Sequence, residues 1–347
     1  FKQKTAYEIY QCDWSSDVCS SDLALQNHLT MIAAGSSMKP FTIARQIAVA
    51  AACLAVILAA PGVSAHAATT VRYGIQDDAW LRYGPGTLTE RVDRLKAMGV
   101  RLVRINLLWN VVEPSAATYF WTGYDDELRE LHRAGIEPVL TLLATPAWAN
   151  GGKGTNVAPL SGSAFAAFAG TAARRYPYVH RWLIWNEPNQ RRWLLPDSPA
   201  VYVQRLLNPA YAAIHAANRL ALVGGGVTAP RAATGGVSPV AWIAGMAAAG
   251  AHLDAYAHNP YALNPGETPL TGGCDRCTTI TMSTIGRLIS NVGAAFGQRV
   301  RIWLTEFGFQ TDPPDHWVGV SYAKQAAYIG EAAMRAYTTP KVDMLVQ

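Results

Sequence analysis

Along residues 68–347, short runs of apolar and β-branched residues alternate with longer stretches whose apolar positions recur every three or four residues. The short runs predict strands at 71–76, 102–109, 138–144, 181–186, 220–225, 254–258, 301–306 and 342–346. Stretches such as 88–98, 125–134 and 322–337 place Lys, Arg or Glu opposite their apolar face, as amphipathic helices do, and Gly99 and Gly135 stop two of them. The strings WLIW and LVRINLL are apolar at nearly every position, which predicts strands buried on both faces of a parallel sheet. A closed eight-stranded barrel and an open doubly wound sheet both fit this alternation. The unit spacing and the count of eight favour a (β/α)8 TIM barrel. The eighth strand runs into Gln347, so the barrel is expected to be C-terminally truncated in or after strand eight, without its last helix.

The first 67 residues are expected to lie outside that domain. From Met38 the chain carries Lys39 and Arg45, then the apolar run 47–60, then Ala65-His66-Ala67. This is the order of a secretory signal peptide, expected to be cleaved after Ala67. The run is shorter than the roughly 20 residues of a membrane span, so no stable membrane anchor is expected. Residues 1–37 fit no targeting pattern and read as a non-native leader, which leaves 68–347 as the barrel domain. The product is expected to be secreted, extracellular or cell-wall associated, and monomeric. A net charge of +5 without a run of Lys or Arg gives nucleic-acid binding little support. Beyond the leader only Cys274 and Cys277 remain. With no second ligand pair at metal spacing, and with export to an oxidising compartment, they predict a local disulfide rather than half a zinc site.

In a barrel of this kind reactive groups stand where strands end at the C-terminal face. Glu187 follows WLIWN in the string WNEPN, and Glu306 follows IWLT in LTEFGF. An ionisable group directly after a buried apolar strand is unusual. Each could instead cap a helix or pair with Arg104 or Arg192. Two of them, on strands four and seven, point to chemistry that needs two carboxylates across a cleft, which is glycoside hydrolysis. Trp80, Trp109, Trp148, Trp185 and Trp193 lie at or just beyond expected strand ends, where an indole face can stack on a pyranose. The alternative for any one of them is core packing.

WNEPN on strand four, TEFGF on strand seven, HNPY on strand six and WNVVEP after strand two resemble clan A retaining glycoside hydrolases, nearest to the family 39 and family 5 types. The resemblance implies Glu187 as acid/base and Glu306 as nucleophile. It also implies Asn186 as a contact to the sugar 2-hydroxyl, Arg104 and Tyr261 as the groups that hold the nucleophile, and His258 as a lining residue. Trp109 and Trp148 are the expected sugar platforms. Physical reasoning agrees, because a guanidinium favours the anionic form of a nearby carboxyl and an apolar setting between Trp185 and Pro188 favours a protonated Glu187. For Arg104 a structural pairing inside the barrel, and for Tyr261 simple packing, remain the alternatives. Members of the clan commonly carry a Trp at the end of strand eight, and the sequence stops before one.

Gly224, Gly225 and Gly226 lack the Lys-Ser/Thr of a phosphate loop and predict a tight strand exit. Asp77 and Asp78 suit a helix cap or a sugar contact better than a cation site. No G-x-S-x-G elbow is present. Neither a cofactor nor a metal is implied. The sequence therefore predicts a secreted retaining β-glycosidase acting on oligo- or polysaccharide, the alternative being a barrel that binds glycans without cleaving them.

Overall fold

The computed structural model describes residues 71–347 apart from Thr234 and Pro265. The leader and signal segments read from the sequence lie outside the described residues. Eight strands run in chain order: β1 (Arg72–Gln76), β2 (Leu102–Leu108), β3 (Glu137–Leu143), β4 (Arg181–Ile184), β5 (Leu222–Thr228), β6 (Ala255–His258), β7 (Arg301–Leu304) and β8 (Val342–Val346). All neighbours pair in parallel, and β8 returns to β1 through Arg72–Met344 and Gly74–Val346, which closes the barrel. The seven crossovers carry α1 (Leu88–Ala97), α2 (Tyr124–Ala134), α3 (Gly162–Arg175), α4 (Asn208–Ala217), α5 (Pro239–Ala248), α6 (Ile285–Phe296) and α7 (Tyr322–Tyr337). The TIM-barrel fold expected from the alternation is the one observed.

Local sequence explains the helices. Thr87 and Glu90 form a reciprocal capping box at the start of α1, satisfying two backbone donors that the helix leaves open. In α2, Tyr124, Leu128 and Leu131 are buried at four- and three-residue spacing, and Gly135 ends the helix in the left-handed conformation. Asp77 accepts from the backbone N–H of Ala79 and Leu81, so it caps the short helix Trp80–Tyr83.

Alternation along each strand sends one set of side chains to the helices and the other into the barrel. The inward set includes Leu102, Val139, Leu183, Ala255, Ala257, Trp303, Met344 and Val346, which fill the lumen. By the same period Gln76, Arg104, Asn106 and Thr141 face inward above that layer.

The triple glycine departs from the expected strand exit, because β5 continues through it to Thr228. A Cβ on Gly224 would meet the Trp303 ring at 2.7 Å and Leu183 at 2.8 Å, so the absent side chain makes room for the largest residue of the lumen. Gly226 has φ +90° and lies against the Tyr256 ring. In the loop 259–281, after β6, Cys274 and Cys277 are disulfide-bonded, with Cα atoms 5.4 Å apart. No helix among the described residues is long and apolar enough to cross a membrane.

Candidate active site

Arg104, on β2, is fully buried at the upper end of the lumen. Its Nε donates to Thr141 Oγ1 at 2.8 Å and its Nη2 to Asn186 Oδ1 at 2.9 Å. Nη1 donates to the carbonyl of Thr305 at 3.0 Å and also to the Glu306 carboxylate. A buried guanidinium is tolerable only when paired and hydrogen-bonded, and Glu306 supplies the opposite charge. Glu306 follows β7 and keeps 15% of its side chain exposed, so the ion pair is closed on the barrel side and open toward solvent. The Tyr261 hydroxyl donates to the other carboxylate oxygen at 3.3 Å.

Glu187 sits three residues beyond the end of β4, where the backbone is unusual: Trp185 has φ 71° and Glu187 φ 41°. Non-glycine residues rarely occupy this region, and such strain concentrates where a side chain must be aimed. Donation from the Glu187 N–H to the carbonyl of Val227 at 2.9 Å fixes the turn against β5. The carboxylate accepts from Asn259 Nδ2 at 3.2 Å and from the Trp193 side chain. Thr305 Oγ1 donates to Asn259 Oδ1 at 2.7 Å, which orients that amide with its NH2 toward Glu187.

Burial, and secondarily the like charge of Glu306, pushes the Glu187 carboxyl up to about 7, against the lowering influence of Asn259, Arg104 and Trp193. Burial together with the Glu306 and Glu187 carboxylates holds the Tyr261 phenol well above its ordinary range, so Tyr261 is a neutral hydrogen-bond donor. The arrangement sets a carboxyl poised to hold a proton near neutral pH close to a second one bound by a cation.

Of the residues singled out in the sequence, the structure brings Arg104, Asn186, Glu187, Tyr261 and Glu306 together. His258 belongs elsewhere. It is fully buried, with Nδ1 2.8 Å from Thr228 Oγ1 and Nε2 3.0 Å from the carbonyl of Ile280. Burial lowers it to about 4, so it is a neutral strut between β5, β6 and the following loop rather than a lining residue. Trp109 is likewise enclosed. Its indole donates to Glu113 Oε2 at 2.7 Å and stacks on Phe168 at 5.5 Å, which leaves no free face for a sugar. Trp148 remains 37% exposed, anchored by donation to the carbonyl of Glu113 at 2.9 Å and by its edge contact with Trp109.

Two residues that touch Glu187 were not singled out for that role. Asn259 lies inside HNPY, but an Asn beside a His carries no separate signal, and the position of Trp193 in the sequence marks it only as a rim aromatic. Among the described residues no group of three or more His, Cys, Asp or Glu side chains is arranged to hold a metal. A cavity of about 580 Å³ opens at the opposite, N-terminal end of the strands, lined by Tyr211, His252, Leu253, Phe296 and Val300, and shares none of these groups.

No protein family matches the chain by sequence, and no curated protein matches it either. Solved structures do. A family 39 glycoside hydrolase from the gut symbiont Bacteroides cellulosilyticus WH2 aligns with TM-score 0.61 and 19% identity over 80% of this chain and 56% of its own. A GH39 enzyme from Xanthomonas axonopodis pv. citri aligns with TM-score 0.57 and 16% identity, covering 80% and 59%. A family 1 β-glucosidase from Thermotoga maritima aligns with TM-score 0.52 and 13% identity, covering 80% and 88%. The chain thus spans somewhat over half the length of the two GH39 enzymes. At these identities the likeness is one of fold.

Proposed function

We propose that the chain is a secreted retaining β-glycosidase that hydrolyses O-glycosidic bonds of oligo- or polysaccharides by double displacement. The observation that carries the reading is the pair of carboxyls at the ends of β4 and β7. Glu187 is raised to about 7, while Glu306 is engaged by the Arg104 guanidinium and the Tyr261 hydroxyl. Hydrolysis of a glycoside needs this division between a proton donor and an anion. That the structural neighbours include glycoside hydrolases of families 39 and 1 supports it. The signal-like order of residues 38–67 supports export.

In the first step the Glu187 proton passes to the glycosidic oxygen as the Glu306 carboxylate attacks the anomeric carbon, and the bond to the leaving alcohol breaks. The Glu306 carboxylate then forms an ester to the sugar. In the second step Glu187, now ionised, removes a proton from water, the water oxygen attacks the anomeric carbon, and Glu306 leaves. Asn186, held by Arg104 through its Oδ1, keeps its amide donor for the sugar 2-hydroxyl. Trp148 offers the half-exposed aromatic surface of the group read from the sequence.

The test is hydrolysis of 4-nitrophenyl β-glycosides and β-linked polysaccharides, with proton NMR of the first product formed. Turnover with the β-anomer appearing first is expected. An α-anomer first would contradict double displacement, and glycan binding without turnover would instead favour a non-catalytic barrel.

A further inference from the structure

Charge is unevenly spread over the segments that follow the strands. Those after β3, β4 and β5 (144–161, 185–198 and 229–238) carry Lys153, Arg191, Arg192 and Arg231 against Glu187 and Asp197. The segment after β7 (305–321) carries Glu306, Asp312 and Asp315, with no Lys or Arg. Cations therefore gather on the side of Glu187 and anions on the side of Glu306. Elsewhere in the barrel arginines meet carboxylates, as Arg82 does Glu127, Arg175 Asp125 and Arg301 Asp343. Arg191 and Arg231 are exposed, and among the described residues no carboxylate pairs with either.

Buried amides clamp the backbone that carries these two cations. The fully buried Asn189 accepts from the Ala229 N–H at 2.8 Å and donates to the carbonyl of Val237 at 3.0 Å. Gln190, also buried, accepts from the Ala233 N–H at 2.9 Å and donates to the carbonyl of Arg231. A Cβ on Gly235 would stand 2.9 Å from Arg191 Cδ, so the Arg191 side chain lies along the segment that bears Arg231. Next to it, the Arg192 guanidinium stands over the Trp193 ring, 5.6 Å from its centre, and the Trp193 side chain bonds Glu187. The cations thus border the proton donor on a scaffold fixed before any ligand arrives, which lowers the cost of ordering them on binding.

Resting on the glycosidase reading, we infer that Arg191 and Arg231 bind a carboxylate or sulfate group on the leaving sugar, so that the substrate is an acidic β-linked glycan. Glu187 protonates the scissile oxygen, so the sugar beyond that oxygen spreads over the segments next to Glu187. A guanidinium presents paired N–H donors that match two oxygens of either anion. The acidic segment after β7 repels the same group, which sets the direction in which a charged chain crosses the site.

The experiment takes the fastest substrate among the 4-nitrophenyl β-D-glucoside, galactoside, mannoside and xyloside and compares it with the 3-carboxy-4-nitrophenyl and 3-sulfo-4-nitrophenyl glycosides of the same sugar. The ratio of kcat/KM, charged over neutral, is read in each variant, so leaving-group chemistry and the folded fraction cancel between variants. At low salt the ratio for at least one charged leaving group should fall by about two- to fivefold in Arg191→Ala and in Arg231→Ala, the usual worth of an exposed ion pair. The fall should shrink at about 1 M salt, where the screening length is about 3 Å. A larger fall for the carboxylate identifies a uronate, and a larger fall for the sulfonate a sulfate ester. Arg219→Ala removes the same charge at the opposite end of the barrel, between α4 and β5, and should leave the ratio at its wild-type value. Wild-type turnover with the ratio unchanged in both site variants, or lowered as much by Arg219→Ala, would overturn this assignment alone. Absence of wild-type turnover on every glycoside would overturn the glycosidase reading and this assignment with it.

Discussion

Glu187 and Glu306 have the same side chain, and only their surroundings separate them. Glu187 is raised to about 7 by burial and by its neighbour's charge, so the proposed acid is protonated at and below neutrality. Activity on glycosides with poor leaving groups should therefore fall as pH rises through about 7. Glu306→Gln removes the second cause of that shift, and a carboxyl-carbon NMR titration should find Glu187 titrating lower than in wild type. Asn259→Ala removes a bond that favours the charged form, so it should move the titration the other way. A Glu187 titration unaltered by Glu306→Gln would contradict the coupling. The same shift has a stability consequence. A carboxyl whose folded value exceeds its unfolded one binds more protons folded, so stability is retained below about 4.5 and lost as pH rises through about 7. Urea melts should find Glu187→Gln more stable than wild type by roughly 1–3 kcal/mol at pH 8, and by little at pH 5. An equal difference at both would refute the assignment. The two glutamates are legible in the sequence because charge directly after an apolar strand is conspicuous, whereas Arg104, inside β2, is implied only by the family resemblance. His258 and Trp109 misled, because a polar or aromatic residue at a strand end can equally face the helices, and only its partners decide.

Strand positions were legible wherever β-branched and apolar residues fill them. β8 lies at the expected 342–346, and β2 ends at Leu108, one residue short of the expected bound. β5 runs to Thr228, past an end expected at 225 because glycine has low strand propensity and a run of three suggests a turn. The reason for the glycines is tertiary: Trp303, two strands away, takes the space a Cβ on Gly224 would occupy. Gly224→Ala should destabilise the barrel by about 1–3 kcal/mol through overpacking. Pairing it with Trp303→Leu should recover part of the loss, since the two sites share one space. Chemical denaturation of both single variants and the double variant measures this, and strict additivity would contradict it.

Across the whole molecule, the site exists only because the barrel closes. Arg104 and Glu306 are 202 residues apart in sequence, and Glu187 and Asn259 are 72 apart. No local pattern encodes such contacts, which is why the partners of each carboxyl were less legible than the carboxyls themselves. The residues of the proposed site lie on strands of one closed sheet or in the segments that follow them, so loss of activity in urea should coincide with loss of far-ultraviolet ellipticity. The central claim is that Glu306 attacks and Glu187 moves the proton. It is tested most directly by giving azide, with an activated aryl β-glycoside, to Glu306→Ala and to Glu187→Ala, each first shown folded by circular dichroism. Azide should enter the space vacated in Glu306→Ala and yield the α-glycosyl azide. In Glu187→Ala it should release the accumulated glycosyl ester as the β-glycosyl azide. The same anomer from both variants, or rescue of neither, would contradict the account.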